Sequence, residues 1–411
     1  MSGESAELVR RVIARDPRLQ LFVSINDDIS LDERPITVDQ TNRSVVVGER
    51  LVVKWMRTPA PDRSTPLLAH LAANGFRRMP TPHAALFDGP NLVALVTEFL
   101  PDGQDGYDWC VDDLLAALDG GPPANFGADL GTLVAELHIA LATPSHVMPH
   151  PIEPAPPADG WSDLLDEALA TSSPAPAAGG TPATSNPAPA TSSNNMSANH
   201  DGKAAPTSSD AAAAISDNTA PTSGNATAAT SGGELDGSDW LAISGYEAPG
   251  ENWPATVRAR LAADLDSPAR RRPGRAIHLH GDLHVGQILR WRGGYAVIDF
   301  DGNPTLAARP EPVARDVAQL RMSVLHVAEI ANKRTAGRHR AELVEWGRRT
   351  ADELLTAYGK GLASKGFDSL LDRELLRPFE VEQECRELVY AARFLPRWRY
   401  APLGVLRSWY G

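Results

Sequence analysis

Cysteine is scarce in this chain. Cys110 and Cys385 are the only two, far apart, so neither a disulfide framework nor a cysteine-rich zinc site is expected. No run of eighteen apolar residues occurs, and the opening MSGESAELVRR has no apolar core after its basic residues. Neither a membrane span nor a signal peptide is therefore expected, and a cytoplasmic protein is the reading. Positive charge is also short. A net charge of −13 leaves few clustered cations to displace counterions from a nucleic-acid backbone, so no nucleic-acid partner is expected and a small neutral or cationic ligand fits better. Lysine is nearly absent, and Lys54 is the only one before Lys203. It stands out as an ammonium that arginine has not replaced, and the two differ where a compact charge must meet a phosphate. A monomer or weak dimer is the expected state.

What the chain does have is length and texture. Its 411 residues, 42% apolar, suffice for two lobes, each with a core. Residues 171–233, beginning TSSPAPAAGGTPATSNPAPATSSNN, contain almost no aromatic or large aliphatic side chains. Such a segment buries too little apolar area to offset its ordering entropy and reads as a disordered insertion between two helical stretches. Upstream, SVVVGERLVVKWM reads as a hairpin, 44–47 and 51–56 with GER at the turn, and NLVALVTEFLP as a strand ending at Pro101. Between them TPLLAHLAANGF is a short helix, with Thr65 as N-cap, Pro66 in the first turn and Gly75 as its stop. From FGADLGTLVAELHIALA onward the pattern is mainly helical, with Leu130, Leu133, Val134, Leu137 and Leu141 on one stripe. The expected organisation is a cap subdomain over 1–40, a β-rich nucleotide-binding lobe over 41–100 and a helical lobe over 101–411.

The densest chemistry lies in HLHGDLHVGQIL, residues 278–289, which has two readings. A binuclear metallohydrolase cage needs H-x-H-x-D-H, with Asp and His adjacent. Here Leu283 separates Asp282 from His284, and His326 and His339 sit in arginine-rich helical surroundings with no carboxylate at metal spacing. The other reading is a kinase catalytic loop, H-x-D and then an amide after four residues, which His280, Asp282 and Gln287 fit position by position. ILRW, a turn at RGG and YAVIDFDG then form a hairpin that returns Asp299 beside Asp282 and Gln287. Phosphoryl transfer needs a carboxylate to orient and deprotonate the attacking hydroxyl, and an amide oxygen with a second carboxylate to hold magnesium. Asp282 is the expected base, and Gln287 and Asp299 the expected metal ligands. Lys54, at the end of a β-branched strand, is placed to meet the nucleotide phosphates. HGD and DFDG are each, taken alone, more often polar turns; their order and the hairpin between them carry the reading. The complete set also argues against a catalytically silent nucleotide-binding module.

In SVVVGERLVVKWMR, VTEFLPDGQDGYDW, LVAELH, HGDLHVGQIL, VIDFDGNP, RDVAQLRMS and PRWRYAPL the chain resembles the maltokinase and aminoglycoside phosphotransferase families. It resembles in particular the maltokinase-like glucosamine kinases of actinobacterial type. The resemblance spans most of the chain outside the insertion. It implies an α+β, bilobal, eukaryotic-protein-kinase-like fold, with a small β-rich N-terminal lobe and a larger, mainly helical C-terminal lobe. It also implies ATP and Mg2+ as cofactors and the 6-hydroxyl of D-glucosamine as acceptor, with maltose at its 1-hydroxyl or an aminoglycoside as alternatives. Adenine would be taken by the backbone at Glu98 and Leu100, and His280, Asp316 and Arg321 would brace the catalytic loop.

Three departures stand out. No glycine-rich loop precedes Lys54, and TNRSV takes its place, so Asn42, Arg43 and Ser44 would cover the phosphates. The short helix offers Lys54 no glutamate, leaving Asp62 or a residue from elsewhere as its partner. Asp301 stands where the resemblance implies a longer glutamate, and would bind magnesium or reach into the sugar site. In the C-terminal FEVEQECRELVYAARFLPRWRYAPLGVLRSWYG, Val381, Cys385, Leu388 and Ala392 form an apolar stripe, with Glu380, Gln383, Glu384 and Glu387 on another face. Carboxylates there would select an ammonium over a neutral hydroxyl. Gln383 and Glu384 are the expected sugar-binding residues, with Trp409 as the stacking plane. His138, on an apolar stripe, is expected in the core.

Overall fold

A computed structural model of the chain describes residues 3–25, 28–36, 42–155, 161–172, 253–303 and 306–411. Beyond Ser172 the expected disordered insertion lies outside the described residues. A six-stranded antiparallel sheet forms the N-terminal part, in the order β1-β5-β6-β4-β3-β2. Its strands are β1 (Leu19–Leu21), β2 (Glu33–Ile36), β3 (Arg43–Val47), β4 (Leu51–Pro61), β5 (Pro82–Asp88) and β6 (Asn91–Glu98). Residues before 41, expected as a separate cap, instead supply both edge strands: β1 pairs with β5 and β2 with β3. Helix α1 (Glu4–Ile13) packs Leu8, Val9 and Val12 against Val45, Val47 and Val53, so this segment shares the sheet's core.

Strand alternation fixes what each face does. Leu51, Val53 and Trp55 of β4 turn toward α1, and Met56, of opposite parity, packs on the large core. Lys54 has Met56's parity, which places it on the inner face, opposite Ser44 of β3 and Leu95 of β6. Helix α2 (Ser64–Ala73) lies between β4 and β5, burying Leu67, Leu68 and Leu71. It begins one residue before the expected cap Thr65, because Asp62 accepts the Thr65 amide at 3.1 Å and its hydroxyl. At its end Gly75, in left-handed backbone, closes the helix as expected.

The rest is helical apart from short strands. Helices α3 (Gly106–Leu118), α4 (Gly127–Ala142), α5 (Trp161–Ser172) and α6 (Trp253–Leu265) precede the catalytic segment; α7 (Ala314–Arg334), α8 (Arg340–Ser364), α9 (Leu376–Phe394) and α10 (Tyr400–Tyr410) follow it. Leu130, Leu133, Val134, Leu137 and Leu141 of α4 are all buried in the large core. A second core joins Leu165, Leu261, Val381, Cys385, Leu388 and Leu406, so α9 is held by α5, α6 and α10. The expected α9 stripe needs two corrections. Ala391 is buried in place of Ala392, and Glu380 and Glu384, expected on a face apart from the buried stripe, are themselves buried, because α7 covers the face that carries them. Among the described residues no helix is long and apolar enough to cross a membrane.

Candidate active site

The catalytic segment folds as a buried loop, a 3-10 turn at Val285–Gln287 and the hairpin β7 (Ile288–Trp291) and β8 (Gly294–Val297). Ile298 N–H donates to the Gln287 carbonyl at 2.9 Å, which returns the chain beside the loop. His280 Nε2 bonds the Ile298 carbonyl at 2.9 Å, and its Nδ1 accepts the Asp282 amide at 3.3 Å. Both imidazole nitrogens are therefore committed to holding the loop, and among the described residues no set of three or more His, Cys, Asp or Glu converges as a metal cage. The metallohydrolase reading fails on this geometry.

One face of α7 organises the loop. Asp316 accepts the amides of His280 and Gly281, both at 3.0 Å; Gln319 Nε2 donates to Asp282 Oδ1 at 2.7 Å; Ser323 Oγ accepts the Val285 amide at 3.0 Å. Spacings of three and four put these side chains on one stripe of the helix. Burial would raise the Asp316 carboxyl, but His138, His280 and the Gly281 amide hold it below its ordinary pKa. His138, buried in the core as expected, bonds both Tyr358 and Asp316. Arg321, expected to brace the loop, does not: five residues beyond Asp316 it points about 140° away, bonding Glu380 of α9 at 2.8 Å and the Ala351 carbonyl. Gln319 and Ser323 were missed in the sequence, although counting three and seven from Asp316 finds them.

Asp282 is 4% exposed, with His284 Nε2 4.0 Å from its Oδ2. Burial holds His284 below its ordinary pKa, so at neutral pH the ring is uncharged. Its Nδ1 accepts the Gly286 amide, and the Gln287 side-chain amide lies 3.4 Å from its Nε2. Asp299 sits in left-handed backbone with φ of 60°, a conformation that costs a non-glycine residue roughly 1–3 kcal/mol. Its carboxylate lies 2.7 Å from Lys54 Nζ, and that of Asp301 lies 2.8 Å from the same nitrogen. Asp301, expected in the sugar site, thus replaces the missing helix glutamate, whereas Asp62 is spent on the start of α2. Burial opposes the charge on Lys54, but Asp299 and Asp301 outweigh it and hold its pKa above the ordinary lysine value.

Arg63 was also missed. Its guanidinium crosses Gly281 and Gly302, the glycines of HGD and DFDG: a Cβ on either would stand 2.3 Å from it. Both glycines also hold φ above +70°, so they meet a backbone and a space requirement together. Among the described residues Arg63 pairs with no carboxylate. Arg43, expected over the phosphates, instead bonds Glu4 and stacks on Trp55, while Ser44 stays buried opposite Lys54. Glu98 ends β6, its side chain accepting from Thr81, and Leu100 is buried just beyond it.

The residues expected to bind sugar lie on α9 and beyond it. Glu384, expected to bind sugar, is fully buried against His326 Nε2 at 3.1 Å, and burial pushes its pKa up to about 7 despite that partner. Glu387 is the carboxylate turned to the loop: it acts electrostatically on His284 and Tyr107 and accepts from Gln383 Nε2 and Trp398 Nε1, both at 3.0 Å. Trp398 packs on Tyr107 and His326. Trp409 is not brought here; it lies 4.0 Å over the Arg377 guanidinium against the second core.

No family model matches the chain. The glucosamine kinase of Streptacidiphilus jiangxiensis is 34% identical to it over 421 residues, covering 97% of this chain and 78% of that protein. The glucosamine kinase of Mycolicibacterium smegmatis (strain ATCC 700084 / mc(2)155) is 34% identical over 391 residues, 90% of this chain and 77% of that one. A solved structure of glucosamine kinase in complex with glucosamine, ADP and inorganic phosphate shares 28% identity and a TM-score of 0.69, across 100% of this chain and 83% of that chain. A second glucosamine kinase structure, crystal form B, gives 30% and 0.70, across 100% and 84%.

Proposed function

The chain belongs to the glucosamine kinase family, and from that premise we propose that it transfers the γ-phosphoryl group of ATP to the 6-hydroxyl of D-glucosamine with Asp282 as base. It is an ATP-dependent sugar kinase. The observation that carries the assignment of roles is the convergence of Lys54, Asp299 and Asp301 with a catalytic loop whose base is held by Gln319.

Asp282 takes the acceptor proton. Gln319 fixes one of its oxygens, so the carboxylate meets the hydroxyl in a set orientation and little is lost to reorganisation at the moment of transfer. Asp299 and the Gln287 amide oxygen are hard oxygen donors on adjoining segments, a set that suits magnesium, which binds few protein ligands and keeps the rest for phosphates and water. They would hold Mg2+, which supplies charge neutralisation on the phosphates. Lys54 would steady the nucleotide, with Asp301 keeping its ammonium in place and Asp299 shared between the lysine and the metal it would hold. Ser44, beside it on β3, and the backbone at Glu98 and Leu100 complete the nucleotide site. Arg63 lies where the transferring group would pass between HGD and DFDG, and its guanidinium, paired with no carboxylate among the described residues, suits an oxyanion.

On the acceptor side Glu387, with Gln383 and Trp398 fixing it, is the counter-charge for the 2-ammonium, and Trp398 offers the apolar plane. The test is product identity: phosphorus NMR of a reaction with glucosamine should show a single 6-phosphate. A 1-phosphate on maltose, or phosphorylation confined to an aminoglycoside, would overturn the assignment.

A further inference from the structure

Away from the catalytic loop, five arginines gather at a cavity of about 130 Å3: Arg270, Arg272, Arg309, Arg315 and Arg386. None of the residues assigned to catalysis lines it. On α9 the cavity takes Phe379, Glu382 and Arg386, a stripe roughly 100° around the helix from Glu380 and Glu387. The two faces of α9 therefore serve different spaces.

The charges at this cavity do not balance. Glu382 alone receives Arg270 at 2.5 Å, Arg386 at 2.8 Å and Arg315 at 3.0 Å, and Glu311 receives Arg315 and Arg309. With Arg272 paired to both Asp372 and Glu374, the five guanidiniums face four carboxylates among the described residues, an excess of one positive charge. Burial would raise Glu382, but Arg315, Arg386 and Arg270 outweigh it and hold its pKa well below the usual carboxylate range, so protonation never deepens the imbalance near neutrality. The side chain of Arg270 is 3% exposed and its Nε has no hydrogen-bond partner among the described residues. Phe379 is flanked by Arg270 and Arg315, whose guanidiniums stand 4.9 and 4.4 Å from its centroid, so the forks are held rigidly. Rigid, desolvated guanidiniums with surplus charge are what an oxyanion requires, since each offers paired N–H donors in fixed geometry.

We propose that this cavity is a second anion site, taking a phosphate group, either free phosphate or the phosphate of a small phosphorylated metabolite. The space holds one such group, since it is about four times the volume of a liquid water molecule. Occupation bears on catalysis through two short connections. Arg315 adjoins Asp316, which holds the His280 and Gly281 amides, and Glu382 lies on the helix that carries Glu387.

The test is calorimetric titration of inorganic phosphate into the full chain saturated with Mg2+ and a non-hydrolysable ATP analogue, which fills the catalytic phosphate positions. One saturable site is expected, about tenfold weaker in Arg272→Ala/Arg309→Ala, where two half-exposed guanidiniums are removed and the buried pairs of Arg270 and Arg315 with Glu382 are left in place. Arg309→Ala alone, checked by its melting temperature, serves if the double variant does not fold. The sugar phosphate product, titrated likewise, separates a site for free phosphate from one for a phosphorylated metabolite; this arm alone rests on the function proposed above. Absence of saturable binding of either compound overturns the proposal. So does binding that survives in the arginine variants and disappears in Lys54→Met, which would place the anion in the catalytic site.

Discussion

Replacing Glu387 with glutamine separates charge from shape at the acceptor site. Glutamine keeps an oxygen for one of the two donors that fix this side chain, Gln383 and Trp398, both now at 3.0 Å, so the local fold survives. What is lost is the charge that distinguishes an ammonium from a hydroxyl at position 2 of the sugar. A hydrogen bond to a charged group contributes about 1.5–3 kcal/mol. At about 1.4 kcal/mol per tenfold, the ratio of kcat/KM for glucosamine over glucose should fall by roughly 10- to 150-fold. The fall should come mainly from glucosamine, because glucose makes no charged contact to lose. ADP release at saturating ATP and magnesium, measured for both sugars, reads the ratio directly. A ratio unchanged within about threefold, in protein that melts at the wild-type temperature, would refute the reasoning and remove Glu387 from the site.

Other expectations follow from the same geometry. Lys54→Met should raise KM for ATP and lower kcat by about 100-fold or more, whereas Asp301→Asn, which leaves Asp299 beside the lysine, should act more mildly; steady-state kinetics in ATP separates the two. Gln319→Leu leaves a buried carboxylate short of a donor, a loss of about 1–3 kcal/mol that should appear in kcat with little change in glucosamine affinity. Arg63→Ala should reduce kcat more than it weakens ADP binding, and equal effects on both would argue against contact with the transferring group. Stability should also depend on pH through Glu384 and His326. Both pKa values are raised in the fold, so the folded chain binds more protons than the unfolded one; stability is greatest below the ordinary glutamate pKa and falls as pH rises through about 7. Melting curves of Glu384→Gln should lose the Glu384 part of this slope, and an unchanged slope would show that another group produces it.

Much of the candidate site's layout was legible because its residues are close in sequence. His280, Asp282, Gln287 and Asp299 fall within twenty residues on a loop and a hairpin, and the run of β-branched residues was enough to put Lys54 on a strand. Pairings across long separations were not legible. Asp301 meets Lys54 across 247 positions, and nothing local to either residue signals it. Trp409 and Glu384 were misplaced for a different reason. A helix stripe shows which residues share a face, but not what packs there, and α7 covers Glu384 while the second core takes Trp409. Arg63 was hidden because the glycines that receive it lie in two other segments. The edge strands β1 and β2 are three and four residues long, too short to register as strands, so the segment carrying them read as a separate cap.

The central claim is that Asp282 is the base for phosphoryl transfer to glucosamine, and Asp282→Asn tests it most directly. Turnover of glucosamine by the purified variant should be measured beside calorimetric binding of Mg2+ and the non-hydrolysable ATP analogue. The expected result is a loss in kcat of about 10²–10⁴-fold with nucleotide affinity unchanged, the range of a removed general base. Retention of more than about a tenth of the wild-type kcat, with binding intact, would contradict the account.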